Sequence, residues 1–189
     1  MPRKADKQLE GRIVDAAYQL WSKGGEHAVT MRAVALAAKT TTPTLYERFR
    51  DKHDLIEFLR VRARERMYEA LQPADSAAEA CRLGLEFTLT NGNEYLLLTS
   101  DWARRLARKE RMPSYEFLKQ RLAEDLGGTA ENYAGLAMAL VAQVHGTAIL
   151  LLGEGVEEHI AQQFKYACLE ACQALIECGG KKIGGGAKQ

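Results

Sequence analysis

The chain is poor in proline, cysteine and net charge. Four prolines in 189 residues, with 47% hydrophobic and 27% charged residues, exclude a proline-rich or intrinsically disordered chain and describe an ordinary soluble globular protein. No CxxC pair, glycine-rich phosphate loop or nucleophile elbow occurs, and the four histidines are scattered. An enzyme is therefore not expected, and neither a cofactor nor a metal is implied. Cys81, Cys168, Cys172 and Cys178 are even in number, but the opening MPRKADKQLEGR does not resemble a secretory signal. We expect reduced cysteines packed in a core, and a cytoplasmic setting. Cys168 and Cys172 lie one helical turn apart, yet no further ligands complete a tetrahedral set around them.

The net charge of +1 hides a division. Residues 1–66 carry 14 Lys/Arg against 9 Asp/Glu, whereas residues 67–189 carry 12 against 16, so the front is +5 and the remainder −4. A basic front joined to an acidic remainder points to a nucleic-acid-facing part attached to one with a different task. The 22 positions from Asn132 to Gly153 hold no charge and are long enough to span a bilayer. Gln143 and His145 at mid-segment, abundant Ala and Gly, and flanking Glu131 and Glu154 without nearby cations argue against a membrane. A helix buried on all sides by protein is expected instead, in a bundle or an oligomer interface.

No run alternates as a strand would and no internal repeat is present, so the expected class is all-α, with about nine helices. Ile13, Ala16, Ala17, Leu20 and Trp21 share one helical stripe that Gly24-Gly25 should end. Thr30 is a good N-cap for MRAVALAA, and Thr41 or Thr42 for a short helix with Pro43 in its first turn. A longer helix runs from Lys52 to about Leu71, closed by Pro73-Ala74-Asp75. Further helices are expected near 76–90, 94–109, 113–126, 130–152 (capped by Thr129) and 157–178, the last with Ile160, Phe164, Ala167, Cys168, Ala171 and Leu175 on one face. These spans define a head at 1–52, a connecting helix 52–71, a second domain at 73–178 and a Gly/Lys-rich tail, 179–189, expected to be disordered.

The informative window is TMRAVALAAKTTTPTLYERFRDKHDL, Thr30 to Leu55, two short capped helices about a tight turn. With the preceding IVDAAYQLWSKGG it resembles the tetracycline-repressor (TetR) family over roughly residues 10–58, most specifically at Pro43-Thr44-Leu45-Tyr46, Phe49 and Lys52. The resemblance implies a three-helix helix-turn-helix head followed by a helical ligand-binding and dimerisation bundle, that is, a ligand-responsive regulator. Lys39 stands where the family usually has the turn glycine, which requires either a left-handed backbone or a slightly different turn.

Physical chemistry assigns roles within this window. Thr41, Thr42, Pro43 and Thr44 open the recognition helix, the end that enters a major groove, and the Thr44 hydroxyl and methyl suit a base edge or a thymine methyl. Arg32 matches a position from which family members reach guanine O6 and N7. Thr30, Tyr46, Arg48 and Lys52 are assigned to phosphates, assisted by helix N-termini. Leu45, Phe49, Leu55 and Trp21 read as core; Tyr46 could pack its ring and expose only its hydroxyl. Arg3, Lys4, Lys7 and Arg12 form a candidate minor-groove arm.

The expected partners are a palindromic double-stranded operator, a largely apolar small-molecule effector, and a second copy of the chain through helices near 130–152 and 157–178. Ala134, Gly135, Ala139, Ala142 and Gly146 would permit close helix approach. Phe87, Tyr95, Leu98, Trp102, Phe117, Met138 and His145 are candidates for the effector pocket, with plain core packing the competing reading for each. Arg104, Arg105, Arg108, Lys109 and Arg111 read as a solvated face. The expected activity is repression relieved by an inducer; the alternative is a helical ligand-binding or scaffold protein that makes no use of DNA.

Overall fold

The computed structural model describes residues 7–153 and 155–184. Among them are ten α-helices and one 3-10 turn, and no strand. Arg3 and Lys4 lie outside the described residues, as do 185–189 of the expected tail. The chain forms two compact units, one reaching Ala63 and including Asn93–Trp102, the other made of Arg64–Gly92 and the chain from Ala103 onward. The units therefore do not divide at residue 52 or 73, where the sequence suggested boundaries.

The head contains α1 (Lys7–Ala28), α2 (Met31–Ala37), α3 (Thr42–Tyr46), the first part of α4 (Lys52–Leu71) and α6 (Gly92–Thr99). Helical geometry in α1 fails at Gly24 and Gly25, the latter at φ 59°, as the glycine pair predicts. The Ile13 stripe turns inward with Val34, Leu45, Leu55, Ile56 and Leu59: Ile13, Ala16 and Ala17 are buried in one cluster with them, and Leu20 and Trp21 pack against it half-buried. The Phe49 ring meets Phe58 at 5.3 Å and 60°, and the Tyr18 hydroxyl donates to the Leu59 carbonyl at 3.0 Å. Leu97 of α6 belongs to the same cluster and is wholly buried. Both tryptophans, Trp21 and Trp102, fall within this unit.

The second unit contains the end of α4, α5 (Ala77–Thr90), α7 (Trp102–Ala107), α8 (Pro113–Leu126), a 3-10 turn (Ala130–Tyr133), α9 (Ala134–Leu151) and α10 (Glu158–Gly184), α7 beginning at the boundary residue Trp102. The single helix expected over 94–109 is two, α6 and α7. Thr99 Oγ1 donates to Tyr95 O at 3.0 Å and Ser100 Oγ to Leu97 O at 2.7 Å, and such hydroxyl-to-carbonyl bonds compete with continuation of a helix. Lys119 is buried on α8 and bridges Glu116 at 2.8 Å and Glu131 at 2.9 Å, fastening α8 to the 3-10 turn. The amide oxygen of Asn132 accepts from Thr129 N at 2.9 Å and from its hydroxyl at 3.0 Å.

Within a single chain each of the last two helices buries one side. On α9, Ala137, Leu140, Val144, Thr147 and Ala148 face inward, while Gly135, Met138, Ala139, Ala142, Gly146, Ile149 and Leu150 are exposed within one chain. On α10 the buried line is Cys168, Cys172 and Ile176, and Phe164, Ala167 and Leu175 of the apolar face are exposed within one chain. The helix also continues to Gly184, beyond the boundary expected at 178. Cys81, Cys168 and Cys172 are buried free thiols. The hydrogen bond with Cys172 and then burial push the Cys168 thiol well above its ordinary pKa, as expected of unreactive core cysteines.

Leu97→Ala should destabilise the head by about 3 kcal/mol, the usual cost of emptying a buried leucine site. Because both tryptophans lie in the head, the loss is read as a lower urea midpoint in tryptophan fluorescence; an unchanged midpoint would place α6 outside the head's cooperative unit.

Candidate nucleic-acid interface

The exposed side of the helix-turn-helix is built by threonine caps. Thr30 has extended backbone, φ −124° and ψ 150°, and its hydroxyl oxygen accepts from Ala33 N at 3.1 Å. Thr41, at φ −107° and ψ 153°, does the same for α3, accepting from Thr44 N at 3.3 Å. Pro43 lies in the first turn, where a missing N–H costs nothing. The Thr41 and Thr44 hydroxyls are also 2.9 Å apart and hydrogen-bonded. Each cap spends one acceptor position on its own helix; Thr30 keeps its hydroxyl proton for a further partner, while Thr41 shares a hydroxyl hydrogen bond with Thr44.

The nine sequence candidates are brought together on this one element, with differing surroundings. Thr30, Arg32, Thr41, Pro43, Tyr46 and Arg48 are exposed, and Thr42, Thr44 and Lys52 are half-buried. Tyr46 is 54% exposed, so its ring is not packed away. The Lys52 ammonium donates to the Glu26 carbonyl at 2.6 Å, which ties the start of α4 to the end of α1 and leaves less of its charge free for a phosphate. Asp51 caps α4, accepting from Asp54 N at 2.9 Å, a bond that holds its carboxyl below the usual carboxylate pKa.

The turn itself is sharply defined. Lys39 has φ 53°, the left-handed option that its side chain disfavours by roughly 1–2 kcal/mol. Thr40 N donates to Ala35 O at 2.9 Å and Lys39 N to Leu36 O at 3.1 Å, the paired bonds of a Schellman ending. Arg12 Nε donates to the Ala38 carbonyl at 3.2 Å. Arg12 is thus part of the folded head rather than of an N-terminal arm, a role invisible in the sequence because the partners are 26 positions apart. The side chain of Lys7 lies outside the described residues.

The pocket candidates are divided between the two units. Tyr95, Leu98 and Trp102 fall in the head unit, whereas Phe87, Phe117, Met138 and His145 fall in the other. Phe87 and Tyr95 are buried, Met138 is 42% exposed, and Phe117 stacks edge-on with Tyr68 at 6.1 Å beneath the Arg121 guanidinium. Burial pushes the Tyr95 hydroxyl pKa up and the His145 pKa down, favouring a neutral imidazole. An open depression of about 500 Å³ lies at the start of α5 against α10, lined by residues including Ser76, Arg82, Leu169 and Gln173 and by none of the candidates.

The head's sequence matches the family model for bacterial regulatory proteins, tetR family, over residues 13–59. The HTH-type transcriptional repressor KstR of Rhodococcus jostii (strain RHA1) is 44% identical over 63 residues, which is 33% of this chain and only 30% of that protein. Among solved structures, a TetR-like transcriptional regulator from Rhodococcus sp. RHA1 superposes with a TM-score of 0.69 at 22% identity, over 95% of this chain and 97% of that one. The TetR family regulator PfmR of Thermus thermophilus gives 0.64 at 15% identity over 88% and 97%. SCO7222, a TetR from Streptomyces coelicolor, gives 0.63 at 19% over 90% and 96%. At such identities the likeness beyond the head is one of fold alone.

Thr41→Ala should cost about 1 kcal/mol of stability by removing the cap of α3, and Thr41→Ser should recover most of it. Urea denaturation of the three proteins checks this; an alanine variant as stable as the parent would remove the cap from the account of α3.

Proposed function

Because its head matches the family model for bacterial regulatory proteins, tetR family, over residues 13–59, we propose that the chain is a regulator of that family, a dimeric repressor released from a palindromic operator by a largely apolar small-molecule inducer. The observation that carries this reading is the gathering of Thr30, Arg32, Thr41 to Thr44, Tyr46 and Arg48 on, or within two residues of, two short capped helices of a head whose sequence matches the family. Arg32 and Thr44 read bases, and Thr30, Tyr46, Arg48 and the remaining donors of Lys52 hold phosphates. Among the described residues, Arg32 and Arg48 are committed to no ion pair, which keeps their charge available to DNA.

The second copy docks on α9 and α10. In a single chain α9 exposes Gly135, Ala139, Ala142 and Gly146 beside Met138, Ile149 and Leu150, and α10 exposes Phe164, Ala167 and Leu175. Small residues interleaved with large apolar ones on adjacent helices support a four-helix interface under two-fold symmetry. The inducer binds among the helices of the second unit, and its signal reaches the head through α4 and α6. The head is joined to the rest of the chain at three points in sequence: after Ala63, after Gly92 and after Trp102. A change in the second unit that shifts these junctions alters the spacing of the two recognition helices and with it the fit to successive grooves.

Affinity for a palindromic duplex, selected from a random pool, should fall steeply as salt rises, and Arg48→Ala should reduce the log–log slope by about one; a flat salt dependence of the parent protein would refute DNA binding through this face. Ala142→Asp places a charge on a surface that is exposed in one chain and buried in the dimer. It should yield folded monomers by light scattering and weaken operator binding at least tenfold, because one head cannot span two half-sites. A variant that stays dimeric would refute α9 as the interface.

A further inference from the structure

Within the helix-turn-helix, Lys39 is the non-glycine residue held at positive φ. The turn does not need its side chain. The bonds Thr40 N to Ala35 O and Lys39 N to Leu36 O are backbone bonds, and Arg12 grips the carbonyl of Ala38. Glycine at 39 would keep all three contacts with no steric penalty. The strain therefore has no return within the head. The side chain is exposed and, unlike Lys52, has no hydrogen bond or ion pair among the described residues. It stands two positions before Thr41, whose hydroxyl caps the recognition helix. A cation at that end of the helix lies where the DNA backbone borders the groove that the helix enters.

We propose that Lys39 is a phosphate-binding residue, its ammonium contacting the DNA backbone beside the recognition helix, so that affinity is gained where conformational stability is given up. The proposal rests on the DNA-binding reading above. It accounts for a lysine at a position whose backbone favours glycine, and it follows a general pattern in which strain persists at functional positions when the surroundings over-determine the geometry. Because phosphates carry no sequence information, the contact should help every duplex equally.

The test compares Lys39→Gly, Lys39→Gln and Lys39→Arg in the full chain, using a duplex selected from a random pool and a random-sequence duplex of the same length. Lys39→Gly should raise the melting temperature by about 2–4 °C and yet bind both duplexes more weakly by a similar factor, with the log–log salt slope reduced by about one. Lys39→Gln retains the strained backbone and should lose the same slope with no gain in melting temperature. Lys39→Arg should preserve the slope. Neutral variants that keep the parental slope on a duplex that the parent binds would overturn the Lys39 assignment alone. A parent protein that binds neither duplex at low salt would overturn the DNA-binding reading and this inference with it.

Discussion

The two helices of the proposed DNA-binding face are too short to stand alone. With seven residues in α2 and five in α3, neither approaches the length at which an isolated helix is even marginal in water. Their geometry is therefore imposed from below by the head core, in which Val34 and Leu45 are fully buried against Ile13, Leu55 and Leu59, and from their ends by the Thr30 and Thr41 caps. Every functional property assigned to the face follows from this arrangement. A side chain can read a groove only if its backbone does not move, and here rigidity is borrowed from neighbours because the helices have none of their own.

The same constraint explains the unusual concentration of threonine. Each hydroxyl has more hydrogen-bonding capacity than a cap consumes, so one residue type both closes a helix end and presents a polar group outward. The hydroxyl pair of Thr41 and Thr44, 2.9 Å apart, shows how closely the two duties are joined. Changing the cap would alter the group offered to DNA, and conversely.

Much of this was legible in the sequence because it is local. The Gly24-Gly25 break, the caps at Thr30 and Thr41, Pro43 in a first turn and the span of α4 from Lys52 to Leu71 all depend on residues within a turn or two of one another. What escaped is long-range. Nothing in GNEYLLLT reveals that Leu97 would be buried with the head, nor that Arg12 would hold a carbonyl 26 positions away. The apolar candidates for a pocket were chosen by residue type, which says that a side chain avoids water but not which neighbours it joins, and they are accordingly divided between the two units. On α10, whose apolar residues wrap around more than one face, the sequence could not tell the line of Cys168, Cys172 and Ile176 from the exposed line of Phe164, Ala167 and Leu175.

The affiliation of α6 changes how the two units can influence each other. Helix α4, continuous across Ala63 and Arg64, is one covalent link between them. Two further crossings, after Gly92 and after Trp102, bracket a segment anchored in the head by a buried leucine whose removal would leave a cavity. A close-packed core resists small continuous deformation and responds instead by moving as a body. Under the proposed function, a signal from the second unit has three covalent routes into one close-packed head core.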